Sequence, residues 1–120
     1  MAAYFEHKQF QPGEVIFRQG DPGDSFYLVE RGKVVVWNGS DEAKRIIGEV
    51  DTGGLFGEMA VLSRQPRMAS ASSLVDTQLL KMPASVLRQA INRADPLVVQ
   101  LINVLMDNLR RAVRSSEADT

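Results

Sequence analysis

Two charged residues in the middle of the chain have the types and spacing for ligand chemistry. Glu58 and Arg67 stand nine residues apart in the stretch Phe56-Gly57-Glu58-Met59-Ala60-Val61-Leu62-Ser63-Arg64-Gln65-Pro66-Arg67-Met68-Ala69-Ser70. Most of their neighbours are small or apolar. A phosphate site needs free backbone N–H groups, room for the backbone to come close, and a counter-charge. Gly57 permits close approach and unusual dihedrals. Residues Glu58 to Leu62 can form one helical turn, whose first N–H groups are unpaired and can face an anion. Arg67 offers a planar fork of donors that matches phosphate oxygens. Glu58 cannot face the same anion, because like charges repel; it suits a neutral partner with hydroxyl donors, such as a ribose. Together the elements suggest a sugar phosphate. The bland reading is a structural salt bridge between the two. Arg64 reads as a solvated loop tip.

Other site chemistries find less support. Gly53-Gly54-Leu55-Phe56-Gly57 lacks the Gly-Lys-Ser/Thr of a P-loop and the spacing of a dinucleotide fingerprint. There is one histidine, His7, and no cysteine. That rules out disulfides and thiolate sites and argues against a catalytic zinc or iron centre. A metal-dependent jelly-roll enzyme is therefore a distant alternative, and the chain is expected not to be an enzyme. His7 reads as a surface residue. The formal net charge of -1 argues against a chain that coats nucleic acid, and the arginines near 110–114 do not change that. No apolar run reaches the roughly 20 residues of a membrane span. No signal peptide is evident, and a cytoplasmic location is expected.

The elements that must position Glu58 and Arg67 are mostly strands. With 120 residues, a single domain with one core is expected over residues 1–120. Val15–Phe17, Phe26–Val29, Lys33–Trp37, Arg45–Ile47, Ala69–Ser72 and Thr77–Met82 read as short strands separated by turns. Asp21-Pro22-Gly23-Asp24 predicts a type II turn with Gly23 at positive φ, and Asn38–Asp41 predicts another turn. Trp37 reads as core. The first ten residues are assigned a short helix. Strands this short, with local hairpins, predict a mainly β fold with flanking helices: an antiparallel β-roll of the double-stranded jelly-roll type over about 10–82. Two C-terminal helices follow. Pro83 opens the first, to about Asn92. Asp95 caps the second, which starts at Pro96 and runs to about Arg114. Arg110, Arg111 and Arg114 near its end favour the helix dipole, and the tail from Ser115 reads as polar and frayed. Leu97, Leu101, Val104, Leu105 and Leu109, widened by Val98, Ile102 and Met106, form an apolar stripe that packs on the roll or makes a dimer seam.

Phe56-Gly57-Glu58-Met59-Ala60 followed by Pro66-Arg67-Met68-Ala69-Ser70 resembles the phosphate-binding cassette of cyclic nucleotide-binding domains. These are the sensor modules of catabolite-activator-type regulators, cyclic-nucleotide-dependent kinases and cyclic-nucleotide-gated channels. Pro12 to Asp24 and Tyr27 to Val34 resemble that family's early strands, so the resemblance runs from about Phe10 to Leu109. It implies that Arg67 neutralises the exocyclic phosphate, Glu58 accepts from the ribose 2′-hydroxyl, and backbone around Gly57, Met59 and Ala60 completes the cradle. Ala69 and Ser70 would line the pocket. A Thr after the arginine goes with cGMP preference in that family; Met68 has no hydroxyl, which leans towards cAMP, with cGMP as the other ligand. Leu109, Arg110 and Arg111 are candidates to cap the base. The C-terminal helix is expected to move when ligand arrives. The reading is a stand-alone cyclic nucleotide sensor that signals to an unknown effector protein or through a homodimer. The alternative is a binding-dead interaction module with the same fold.

Overall fold

The valine run of the sequence forms the middle of a sheet because β-branched side chains suit a pleated, buried surface. In the computed structural model, which describes residues 5–118, this run is β4 (Lys33–Gly39), paired on one side with β5 (Lys44–Asp51) and on the other with β7 (Ser70–Ser73). β2 (Val15–Phe17) joins the far edge of β7, giving the order β2-β7-β4-β5. The second sheet has the order β1-β8-β3-β6, built from β1 (Glu6–Phe10), β8 (Thr77–Pro83), β3 (Ser25–Arg31) and β6 (Leu55–Phe56). All pairings are antiparallel. This is the double-sheet roll that the strand pattern predicts.

The core lies between the sheets. Tyr27, Val29, Phe56 and Leu79 from one sheet meet Val34 and Ala71 from the other. Val29, Val34 and Leu79 are completely buried; each such side chain contributes on the order of 1.5–3 kcal/mol. A second cluster covers the outer face of the β3 sheet. There Phe26 and Met82 pack with Val61 of α1 (Glu58–Ser63) and Ala84 of α2 (Ala84–Asn92). β3 is therefore covered on both faces. That is why Phe26-Tyr27-Leu28-Val29 is apolar at every position instead of alternating. Trp37 is buried, with its indole N–H donating to Ser72 Oγ at 2.8 Å.

Four expectations are corrected, the fourth at Pro83 below. Residues 6–10 are a strand, not a helix; residues 1–4 lie outside the described part. Glu6 to Phe10 lack helical periodicity, and antiparallel pairing with Thr77–Lys81 of β8 decides their state. His7 lies exposed on this strand, its Nδ1 2.8 Å from Glu30 Oε1. The type II turn at Asp21–Asp24 does not form, because Gly23 is not at positive φ. The turn falls three residues earlier: Asp21 N–H donates to Arg18 O at 3.0 Å, with Gly20 at φ 91°. Gly23 instead serves close approach, since a Cβ there would lie 2.4 Å from Ala60 Cβ. The last helix, α3 (Pro96–Ala118), runs past Arg114 into the segment read as frayed; residues 119–120 lie outside the described part.

The Asp95 cap is present: its Oδ1 accepts from Leu97 N–H at 2.8 Å. Pro83 sits one position before the first residue of α2 rather than inside it. On α3, Leu97, Val98, Leu101, Val104 and Leu105 are exposed, and Met106 is buried. The stripe is thus largely not packed on the roll. The side chains of Leu109, Arg110 and Arg114 lie outside the described part; Arg111 is exposed and donates to Asn108. No helix among the described residues is long and apolar enough to cross a membrane.

Candidate functional site

Gly57 joins β6 to α1 in the left-handed region, at φ 84°. A β-carbon at this position would lie 2.9 Å from Arg67 Nη1 and 3.5 Å from both the Phe17 and Tyr27 rings. The conformation calls for glycine, and a side chain here would also press on the end of the Arg67 fork. α1 then starts with no side-chain cap on its first N–H groups. It ends after six residues at Arg64, also left-handed at φ 56°. Arg64 and Pro66 are exposed at the tip, and the chain returns to the roll at Arg67.

Arg67 is held through main chain and side chain together. Its N–H donates to Asp21 O at 2.9 Å, and its carbonyl accepts from Gly20 N–H at 2.8 Å. Nη1 donates to Gly57 O and Nη2 to Ser25 O, each at 2.7 Å; Nη2 also lies 3.4 Å from Ser25 Oγ. The guanidinium carbon sits 4.1 Å from the centre of the Phe17 ring. Arg67 is only 4% exposed, and its Nε is buried without a partner. Burial pulls its pKa down, against the opposing pull of Tyr27, Asp24, Asp21 and Glu58; a guanidinium still stays charged. Among the described residues no carboxylate forms an ion pair with it. A buried cation that meets only neutral oxygens and an aromatic face is electrostatically incomplete.

Glu58 is the second charge. Its Oε2 is buried without a partner. Burial raises its pKa, opposed by a bond to its own backbone and by the Arg67 charge. The salt-bridge reading therefore fails: Glu58 and Arg67 do not pair directly.

Both open onto one cavity of about 200 Å³. Phe56, Gly57, Glu58, Met59, Ala60, Arg67, Met68 and Ala69 line it, all residues of the stretch singled out from the sequence. Pro66 and Ser70 do not line it: Pro66 is exposed, and Ser70 Oγ accepts from Gln19 N–H at 2.9 Å beneath the cassette. Sequence reasoning missed Phe17, Val36, Val50 and Leu55, which complete the lining. One signal could have found Val36. It stands two residues from the inward Val34, and side chains two apart share a face of a strand. The result is an apolar chamber with one cation and one carboxylate on the same rim. It suits a small ligand with an anionic group, a hydroxyl and a flat apolar part.

The fold and site define a ligand-binding jelly roll. The chain belongs to the cyclic nucleotide-binding domain family, whose profile matches residues 7–94. It is 39% identical over 97 residues to a cAMP-dependent protein kinase regulatory subunit of Dictyostelium discoideum, covering 78% of this chain and 28% of that protein. Among solved structures, an EAL enzyme in its cAMP-bound form superposes with a TM-score of 0.85 at 31% identity, over 95% of this chain and 30% of that one. The Thermus thermophilus catabolite activator protein superposes with a TM-score of 0.72 at 35% identity, over 97% of this chain and 55% of that one. The EAL enzyme is also known in a cGMP-bound form. The chain thus spans between about a quarter and a little over half of these proteins.

Proposed function

We propose that this domain is a cAMP sensor. One observation carries the reading: Arg67, a buried cation with no ion-pair partner among the described residues, stands on the wall of a cavity that Glu58 also lines. A cyclic phosphate supplies the missing negative charge, and Gly57 keeps the approach open. Glu58 accepts from the ribose 2′-hydroxyl, which removes the cost of its unpartnered oxygen. The main chain of Met59 and Ala60 completes the cradle, and the apolar walls take the purine. Met68 lines the cavity without a hydroxyl to offer a guanine amino group, so cAMP is preferred over cGMP. The cAMP-bound and cGMP-bound neighbours support this ligand class. The domain itself is a receptor rather than a catalyst, and it works in the cytoplasm.

The output runs through helices. Val61 of α1 packs with Ala84 of α2 in one cluster, so a ligand that tightens the cassette also bears on α2. α3 follows α2 and changes position as the population shifts. The exposed leucines and valines of α3 are the receiving surface for a second copy of the chain or for an effector, on the same polypeptide or another. Isothermal titration with cAMP and cGMP tests the reading. Binding of cAMP, with cGMP weaker, is expected; no heat with either nucleotide at millimolar concentration would sink it and leave an interaction module without ligand.

A further inference from the structure

Arg67 must stay charged, buried and correctly aimed before any ligand arrives, and among the described residues nothing with a negative charge pairs with it directly. The face it meets is aromatic. Phe17 lies 4.1 Å from the guanidinium carbon. Its ring is in turn braced by Tyr27 and Phe56, with both centroids 6.0 Å away. Tyr27 and Phe56 stack at 5.0 Å as a cross-strand pair of β3 and β6. Phe17 comes from β2, some fifty residues before the arginine it touches.

We propose that Phe17 is the positioning residue for Arg67, holding the guanidinium plane beneath Gly57 through its ring face so that the arginine meets a phosphate already oriented. The proposal rests on the reading of this site as phosphate-binding. The negative face of an aromatic ring attracts a cation and offsets part of its desolvation. A carboxylate in the same place would do so more strongly, but it would occupy the donors that a phosphate needs. Three hydrogen bonds, to Gly57 O, Ser25 O and Ser25 Oγ, take up at most three of the five guanidinium N–H donors. The remaining donors, Nε–H among them, stay uncommitted. Leucine in place of Phe17 would keep apolar area but lose the quadrupole and the stacked brace.

Two measurements on the whole chain decide this. The first needs no ligand. In a nitrogen–proton NMR spectrum, Arg67 Nε–H should give a sharp, slowly exchanging peak displaced by the Phe17 ring current. Phe17→Leu should return it towards the ordinary arginine position and broaden it, and Phe17→Tyr should restore it. A peak that does not move in Phe17→Leu overturns the proposal. The second is a double-mutant cycle read as cAMP affinity. Phe17→Leu should weaken binding by about five- to thirty-fold, Phe17→Tyr should rescue it, and Phe17→Leu should cost almost nothing further in an Arg67→Gln background. Equal losses in both backgrounds would mean that Phe17 contacts the ligand or props the fold, and would overturn the positioning role. If the wild-type chain bound no cAMP, the function reading would fall and the phosphate role of Phe17 with it; the Arg67 peak would still report whether the ring holds the guanidinium.

Discussion

The cassette around Arg67 and the long helix α3 are built on opposite terms. Arg67 is tied at its main chain to Gly20 and Asp21, at its fork to Gly57 and Ser25, and at its face to Phe17. α3 buries Met106 but leaves Leu97 71% and Leu101 60% exposed. A region that must recognise one small ligand is preorganised, because ordering it at the moment of binding would cost affinity. A region that must move or dock keeps its apolar face uncommitted. On the proposed reading, the difference separates a fixed receptor from a free output element, and changes in the two regions should have different consequences.

The largest effect is expected at Arg67. Arg67→Ala removes the phosphate partner and strips Gly57 O and Ser25 O of their donors. Affinity for cAMP should fall by at least ~1.5 kcal/mol, or about tenfold, and the melting temperature should drop as well. Calorimetry with a thermal scan checks both; unchanged affinity would place the phosphate elsewhere. Next comes Gly57→Ala. The new Cβ meets Arg67 Nη1 at 2.9 Å on a backbone at φ 84°. A stability loss of about 1–2 kcal/mol is expected from the left-handed backbone, together with weaker cAMP binding. A variant as stable and as tight as wild type would show that Arg67 is not seated under this glycine.

Glu58→Gln should do less than Arg67→Ala, since an amide oxygen still accepts from a hydroxyl. Equal damage from both would contradict the assigned roles. Glu58 also sets a pH dependence. Burial holds its pKa above the ordinary 4.5. Between that value and its raised one, the folded chain binds more protons than the unfolded chain. The stability contribution of Glu58 is therefore present at low pH and is lost as pH rises through the raised pKa. An ionised carboxylate is the better acceptor, so cAMP affinity should rise with pH across the same window. Urea unfolding and titrations at several pH values check this, and Glu58→Gln should flatten both curves. The smallest effect on binding is expected in α3. Leu97→Asp with Leu101→Asp should leave cAMP affinity nearly unchanged and keep stability within about 0.5 kcal/mol, while abolishing any self-association seen by sedimentation. A large loss of affinity would place α3 inside the receptor instead of downstream of it.

The same divide governs what could be read from the sequence. The cassette is local: Gly57, Glu58 and Arg67 lie within eleven positions, so residue chemistry and family resemblance found it. The rest of the lining was not legible. Phe17, Val36, Val50 and Leu55 come from four strands, and only their pairing brings them to one cavity. β1 is not legible either, because a polar strand at a sheet edge carries no periodic signal and forms through its partner β8. The turn before Asp21 is hidden because Pro-Gly signals a turn by composition, while Gly23 serves close approach to Ala60. The amphipathic stripe of α3 was plain in the sequence; what it packs against was not, since spacing says nothing about a partner.

The central claim is that Arg67 is a preformed phosphate receptor. A crystal structure of the chain grown with cAMP tests it most directly. The account predicts phosphate oxygens within hydrogen-bonding distance of the Arg67 guanidinium and the ribose 2′-hydroxyl on Glu58, with Phe17 still stacked beneath the arginine. A nucleotide bound with its phosphate in solvent, and Arg67 bonded only to Gly57 and Ser25, would contradict it.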